Sequence, residues 1–345
     1  MEAEKNQPLV SVITGYYNRE NLVDESIQSL LDQTYPNLEI IIFDDCSTDN
    51  TLKELQKFES DPRIQIIAHK QNQGFTRALI HAIQQSKGEF IAIHGSGDYS
   101  YPERVGKQVA ALLENEKYSI VGCEDEKVFK DGTISVTARW PPRNFYNSMI
   151  RKGKRPLNGS HIMVKRNYYE MVGGYREFFT YAQDSDLLCR LSLVSDYTLV
   201  PQVLYRQWRH VEGSVSGDPI KRIKQIFYME LGVECMKMRK KLGYDHIDML
   251  GKESFLAFKG NKNLTDKLST HAIKLYNDNR KKEFFYLVRI IDNLPQTAQS
   301  TYLKLLSKKI ISAKLNNSIY GRAKSVNRNS FVKWLKLKFF NVNKV

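Results

Sequence analysis

The chain has four cysteines and none that work together. Cys46, Cys123, Cys189 and Cys235 are scattered without C-x-x-C spacing. That weighs against a zinc site or a disulfide framework and predicts reduced thiols in a cytoplasmic protein. Long apolar runs are missing as well. The longest candidate, FFYLVRII at 284–291, is short and broken by Arg289, so no spanning helix is expected. Met1 to Asn6 are polar and lack the basic n-region and apolar h-region of a signal peptide. No G-x-G-x-x-G or G-x-x-x-x-G-K-[ST] follows the first apolar run, which weakens dinucleotide-binding and P-loop readings. Acids are absent after Asp292, where 11 basic residues follow.

What is present describes a globular protein with a basic end. Across 345 residues, 41% are hydrophobic and 11% aromatic, enough for a large core and an appendage. The net charge of +14 is uneven: residues 221–345 carry +18 and residues 1–220 carry −4. A basic end of this kind seeks a membrane surface, nucleic acid or an acidic protein, or is simply a solvated helical face.

The first half alternates apolar runs with helical patterns. LVSVIT (9–14), LEIIIFDD (38–45), IQIIAH (64–69), EFIAIH (89–94) and YSIVGC (118–123) read as strands. Helical patterns at about 21–34, from Asp49, at 76–86 and at 102–115 separate them. This alternation predicts βαβ units and a mostly parallel sheet, whose strands read as continuous apolar runs when both faces are covered. A hairpin is expected around Asp131-Gly132, and a further strand in GSHIMVKR (159–166). From about 218 the pattern is helical, at 219–242, 264–278, 281–293 and 297–316. The expected division is a catalytic domain over 1–217 and a basic α-helical C-terminal region over 218–345.

Ligands of such sheets bind beyond the carboxyl ends of the strands. The loops to inspect are TGYYNRE, DDCSTDN and HGSGD. The segments VSVITGYYNRE…IIIFDDCSTDNT, NQGFTRALIHAIQQSKGEFIAIHGSGDYSYPER, GSHIMVKRNYYEMVGGYREFFTYAQDSDLLCRL and VPQVLYRQWRHVEGSVS occur in that order. Together they resemble family 2 glycosyltransferases over about residues 8–217. The resemblance implies the GT-A fold, a Rossmann-like mostly parallel sheet flanked by helices, here with a C-terminal α-helical extension. It also implies a nucleotide-diphosphate sugar, UDP-linked in kind, as donor, and a divalent Mn or Mg at an Asp-x-Asp-Asp motif.

At that motif the chain has Gly95-Ser96-Gly97-Asp98. Divalent Mg or Mn commonly takes one or two carboxylates plus phosphates and waters, so Asp98 is the expected metal ligand, with His94 or His210 as imidazole partners. The alternative is metal-free stabilisation by cations and backbone N–H groups. Tyr17 can offer an aromatic face to the base. Asp44 or Asp45 can accept from the base or ribose, and the resemblance favours Asp45. Asp49 reads as a helix N-cap. Arg77 is either a phosphate contact or a solvated helix residue. Arg206, Arg209 and His210 are diphosphate candidates. Trp208 lines the acceptor cleft or the core.

An inverting transfer needs a carboxylate to deprotonate the acceptor hydroxyl. The resemblance gives that role to the aspartate of a Glu-Asp pair, here Gln183-Asp184. Asp186 either orients acceptor hydroxyls or caps the helix. The leading expectation is an inverting glycosyltransferase acting on a bacterial surface glycan, peripheral on the inner face of the cytoplasmic membrane. NSFVKWLKLKFF (329–340) mixes aromatics with lysines as interfacial segments do. The alternatives are an inactive relative that binds sugar nucleotide or glycan, and a nucleotidyltransferase. A nucleic-acid partner is disfavoured because the basic part lacks a recognition motif.

Overall fold

The computed structural model describes residues 7–136, 147–149, 151–152, 159–209 and 218–319. It divides into two compact units, Met1–Leu268 and Ser269–Val345. The first opens with β1 (Val10–Tyr16), α1 (Asp24–Leu31), β2 (Leu38–Asp44), α2 (Thr51–Gln56) and β3 (Ile64–Ala68). It continues with α3 (Phe75–Gln85), β4 (Phe90–His94), β5 (Tyr99–Ser100), α4 (Arg104–Leu113), β6 (Tyr118–Val128) and β7 (Ile134–Val136). Then come β8 (Met163–Lys165), α5 (Arg166–Met171), α6 (Gln183–Leu191), β9 (Asp196–Trp208), α7 (Pro219–Leu242), α8 (His246–Leu250) and α9 (Ser254–Ala257). α10 (Lys262–Asn277), α11 (Lys281–Asp292) and α12 (Ala298–Ile319) follow. No helix among the described residues is long and apolar enough to cross a membrane.

Among the described residues the strands form one sheet, ordered β3-β2-β1-β4-β8-β6-β9-β5, with β7 hairpinned onto β6. The first four are parallel, as their apolar runs predict. Successive residues of β1 feed opposite faces: Val10 and Val12 join one core cluster, Ile13 the other. β2 splits the same way, Ile40 and Ile42 against Ile41 and Phe43. Each strand is thus covered on both sides, the condition for a parallel sheet.

Beyond β4 the sheet departs from simple alternation. GSHIMVKR yields a 3-10 turn at Gly159–His161 and a three-residue strand antiparallel to both β4 and β6. β9 pairs with β6 in parallel, with a register break where Cys123 faces Val200 and Glu124 faces Val203. Pro201, which cannot donate to the ladder, lies in that bulge. After it, β9 continues parallel to β6 and pairs antiparallel with β5 on its other edge. Its side chains alternate: Tyr205 and Gln207 are buried, while Trp208 is exposed.

α7 follows from its ends. The Asp218 side chain accepts from Ile220 N–H (2.8 Å) and Lys221 N–H (3.1 Å), Pro219 opens the helix and Gly243 closes it at φ 85°. In the second unit, α11 buries Phe284, Leu287, Val288 and Ile291 along one face, and Lys304 of α12 pairs with Asp292 at 3.1 Å.

Candidate active site

Three loops at the carboxyl ends of β1, β2 and β4 make one wall. The first two are clasped: Asn18 N–H donates to Ser47 Oγ (3.0 Å) and Thr48 N–H to Asn18 Oδ1 (2.8 Å). Both turns need a left-handed non-glycine residue, Asn18 at φ 52° and Cys46 at φ 64°, a strain that persists where the surroundings impose it. Tyr17 stands exposed at the lip. Asp45 does not face it. Its carboxylate accepts from Gln73 N–H (2.8 Å), Gly74 N–H (2.9 Å) and His69 Nδ1 (3.3 Å), so it organises the loop that leads into α3. That corrects the expected base contact: the carboxylate is buried and already satisfied. Asp44 accepts from Ser47 N–H in the same way (3.0 Å). Asp49 lies one residue before the N-cap position of α2, which Asn50 occupies without a side-chain cap bond. It accepts instead from Glu20 N–H (3.3 Å) and Thr51 N–H (2.9 Å).

The β4 loop turns back on itself. Tyr205 Oη donates to Asp98 Oδ2 (2.9 Å) and accepts from Gly95 N–H (2.8 Å). Trp208 N–H donates to the other oxygen at 3.3 Å. The glycines are structural requirements of this turn. A Cβ on Gly95 would collide with the Asp98 carboxylate, and one on Gly97, at φ 82°, would sit 2.8 Å from Leu22 Cβ. Burial raises the Asp98 carboxyl to about 7, against the pull of Tyr205, Trp208 N–H, Arg209 and Gln207. Arg19 feels the same carboxylate. His94 is not available as a metal ligand. It is buried, its Nε2 lies 3.0 Å from Ser26 Oγ and from Asp98 O, and its Nδ1 lies 3.2 Å from Ser100 Oγ. Burial, and then Arg104, hold it neutral. His210 and the segment 329–340 lie outside the described residues.

The opposite wall is the start of α6. Ala182, left-handed at φ 56°, turns the chain into it, and Asp184 and Asp186 occupy its first turn. Asp184 is half-buried, with Oδ1 accepting from Ser185 N–H (2.8 Å). Gly159 lies against it so closely that any Cβ there would run into the carboxylate. Asp186 is corrected from its expected acceptor role. It is buried, taking Arg176 Nε at 3.0 Å and Arg190 Nη2 at 2.8 Å, and Arg176 continues to Asp245 at 2.9 Å.

The two walls meet through Gln207. It lies near enough to Asp98 to favour the ionised carboxylate and donates to Ser160 Oγ, and Ser160 adjoins Gly159, which backs Asp184. The other predicted cations divide. Arg209 lies close enough to Asp98 to favour its ionised form. Arg206 is paired with Glu126 and flanked by the Tyr99 and Tyr101 rings at 5.4 and 5.7 Å. Its charge is matched by that carboxylate. Arg77 pairs with Glu177 at 3.0 Å across the surface. Trp208 is exposed, and its backbone makes the site contact. Sequence reasoning missed Arg19, Arg104, Gly159, Ser160, Tyr205 and Gln207. The alternation in VLYRQW carried a signal: period two puts Tyr205 and Gln207 on the face opposite Arg206 and Trp208.

Residues 11–172 match the family described as Glycosyl transferase family 2. Over those residues the chain is similar to this family. The chain is also similar to the Bacillus subtilis (strain 168) protein named "Putative glycosyltransferase EpsE", 36% identical over 171 residues, 49% of this chain and 60% of that protein. The chondroitin synthase of Pasteurella multocida is 28% identical over 208 residues, 59% of this chain and 21% of that one. The chain thus spans less than two thirds of either relative. The fold of the chain matches Staphylococcus aureus TarS 1-349 in complex with UDP-GlcNAc, with a TM-score of 0.53 and 16% identity over 76% of this chain and 80% of that one.

Proposed function

We propose that the chain transfers a sugar from a nucleotide-diphosphate sugar to a hydroxyl of a glycan, with inversion. The observation that carries this is the Gln207–Ser160–Gly159 link, which joins the surroundings of Asp98 to those of Asp184. The donor lies along the β1 and β4 loops, with Tyr17 at the base and Arg19, Arg209 and Asp98 at the diphosphate. Asp184 takes the acceptor proton as the hydroxyl oxygen attacks the anomeric carbon. The bond to the diphosphate breaks in the same displacement, and Arg19 and Arg209 face the charge that develops on the leaving group.

The ligand set limits the metal. Among the described residues no three His, Cys, Asp or Glu come together to hold an ion. One half-buried carboxylate fits an ion that draws its other ligands from phosphates and water. Asp98 would hold that ion, and when bound it neutralises charge on the diphosphate.

The UDP-GlcNAc bound by TarS supports a UDP-linked donor, and the chondroitin synthase supports a polysaccharide acceptor. The functional division stays at 1–217 and 218–345, because every proposed ligand contact precedes 218. The +18 charge of residues 221–345 supports attachment to an anionic membrane surface. The test is a panel of UDP- and GDP-linked sugars with a glycan acceptor, run with Mn, with Mg and with EDTA. One donor should release its nucleoside diphosphate and give an anomerically inverted product. Release of pyrophosphate would make the chain a nucleotidyltransferase, and binding without any turnover would make it a binding protein.

A further inference from the structure

Arg104 is a charged residue in the wrong place for an ordinary surface helix. It opens α4 two residues after Pro102, yet its side chain is fully buried. A guanidinium stays protonated in a protein. Here it makes one long hydrogen bond, Nη1 to Ile93 O at 3.3 Å. Its Nε and Nη2 have no partner among the described residues, and no carboxylate among them pairs with it. A desolvated, unpaired charge destabilises a fold by several kcal/mol.

The guanidinium lies over the Tyr205 ring, 5.2 Å from its centroid. His94 and His161 pack on the same ring at 5.4 and 5.1 Å. Both are held neutral, chiefly by burial, so Arg104 supplies the positive charge against the ring. Tyr205 Oη in turn donates to Asp98 at 2.9 Å. A cation on the face of a phenol draws density from it and makes its O–H a stronger donor.

We propose that Arg104, acting through Tyr205, is the positioning residue that holds Asp98 for the donor diphosphate. This rests on the donor-site reading above. The unpaired charge stabilises the carboxylate through the ring and leaves a positive floor beneath the site. Arg104 is therefore kept for function, although an apolar side chain of similar size would suit its surroundings better.

The test compares Arg104→Met, Tyr205→Phe and the double variant by the Tm of the ligand-free protein and by calorimetric UDP affinity with Mn. Arg104→Met should keep or raise the Tm and weaken UDP binding roughly tenfold. Tyr205→Phe should weaken it by a similar factor, and the double variant should be no weaker than the worse single one. Unchanged affinity in Arg104→Met overturns the proposal. So does a loss that comes with a lowered Tm, or one that adds fully to that of Tyr205→Phe. Ligand-free crystals of Arg104→Met separate this from the donor reading. If the wild type fails to bind UDP, that reading falls. Even then, an Asp98–Tyr205 contact retained at 2.9 Å in the variant overturns the positioning role, and a broken one upholds it.

Discussion

The β4 loop and the start of α6 each carry aspartate, and they hold it by opposite means. Asp98 is held by uncharged donors, the Tyr205 hydroxyl and the Trp208 N–H, and no guanidinium among the described residues pairs with it directly, although Arg209 lies near enough to favour its ionised form. Burial then outweighs them and raises its carboxyl to about 7. Asp186 is locked between two guanidiniums and has nothing left to offer a ligand. Asp184, two residues earlier on the same helix, escapes that network because its side chain points to Gly159 instead. Residue type does not assign a role here. The partners do, and one step along a helix changes them completely.

The sharpest way to break the comparison is to neutralise Asp184. Asp184→Asn keeps shape and removes the proton acceptor. Transfer should fall about 10³-fold, within the usual range for losing a positioned base. UDP affinity should stay within about twofold, since the donor lies on the other wall. Transfer kinetics and calorimetry on one preparation would check both. Retained transfer would remove Asp184 from the mechanism.

Asp186 should respond in the other currency, stability. Asp186→Ala leaves Arg176 and Arg190 without their shared carboxylate, and breaking a buried pair of this kind costs about 3–5 kcal/mol. Urea unfolding should show that loss, while donor affinity per folded molecule is unchanged. A mild loss of stability together with a large rise in acceptor KM would instead restore Asp186 to the acceptor site.

Much of this fold is legible in the residue order. β1, β2 and β4 are continuous apolar runs because both of their faces are covered. α7 is bounded by Asp218-Pro219 and Gly243, a cap, a first-turn proline and a left-handed stop. The family-like motifs pointed to Asp98 and Asp184, which follow the end of one element and open another. What was not legible is set by long-range pairing. Tyr205 reaches Asp98 only because the bulge at Pro201 re-aims β9. Arg104 reads as a surface residue until the sheet closes over it. The Asp45 side chain looks like a ligand until the loop at 71–74 folds back onto it.

The smallest expected effect concerns the missing acids themselves. If Gly95-Ser96-Gly97-Asp98 were a decayed metal motif, restoring a carboxylate would strengthen metal binding. The geometry says otherwise. Gly97 is at φ 82°, where a side chain is strained, and a Cβ there would press on Leu22 at 2.8 Å. Gly97→Asp should therefore destabilise the protein by about 1–3 kcal/mol. It should bring no gain in Mn-dependent UDP affinity, because the new carboxylate would open from the Leu22 side while Asp98 stays anchored to Tyr205. Thermal unfolding and calorimetry on this variant decide the point. A tighter, Mn-dependent complex without loss of Tm would show a loop that tolerates the fuller acidic motif. The predicted pair of results would show one rebuilt around a single carboxylate, with glycine required for the turn.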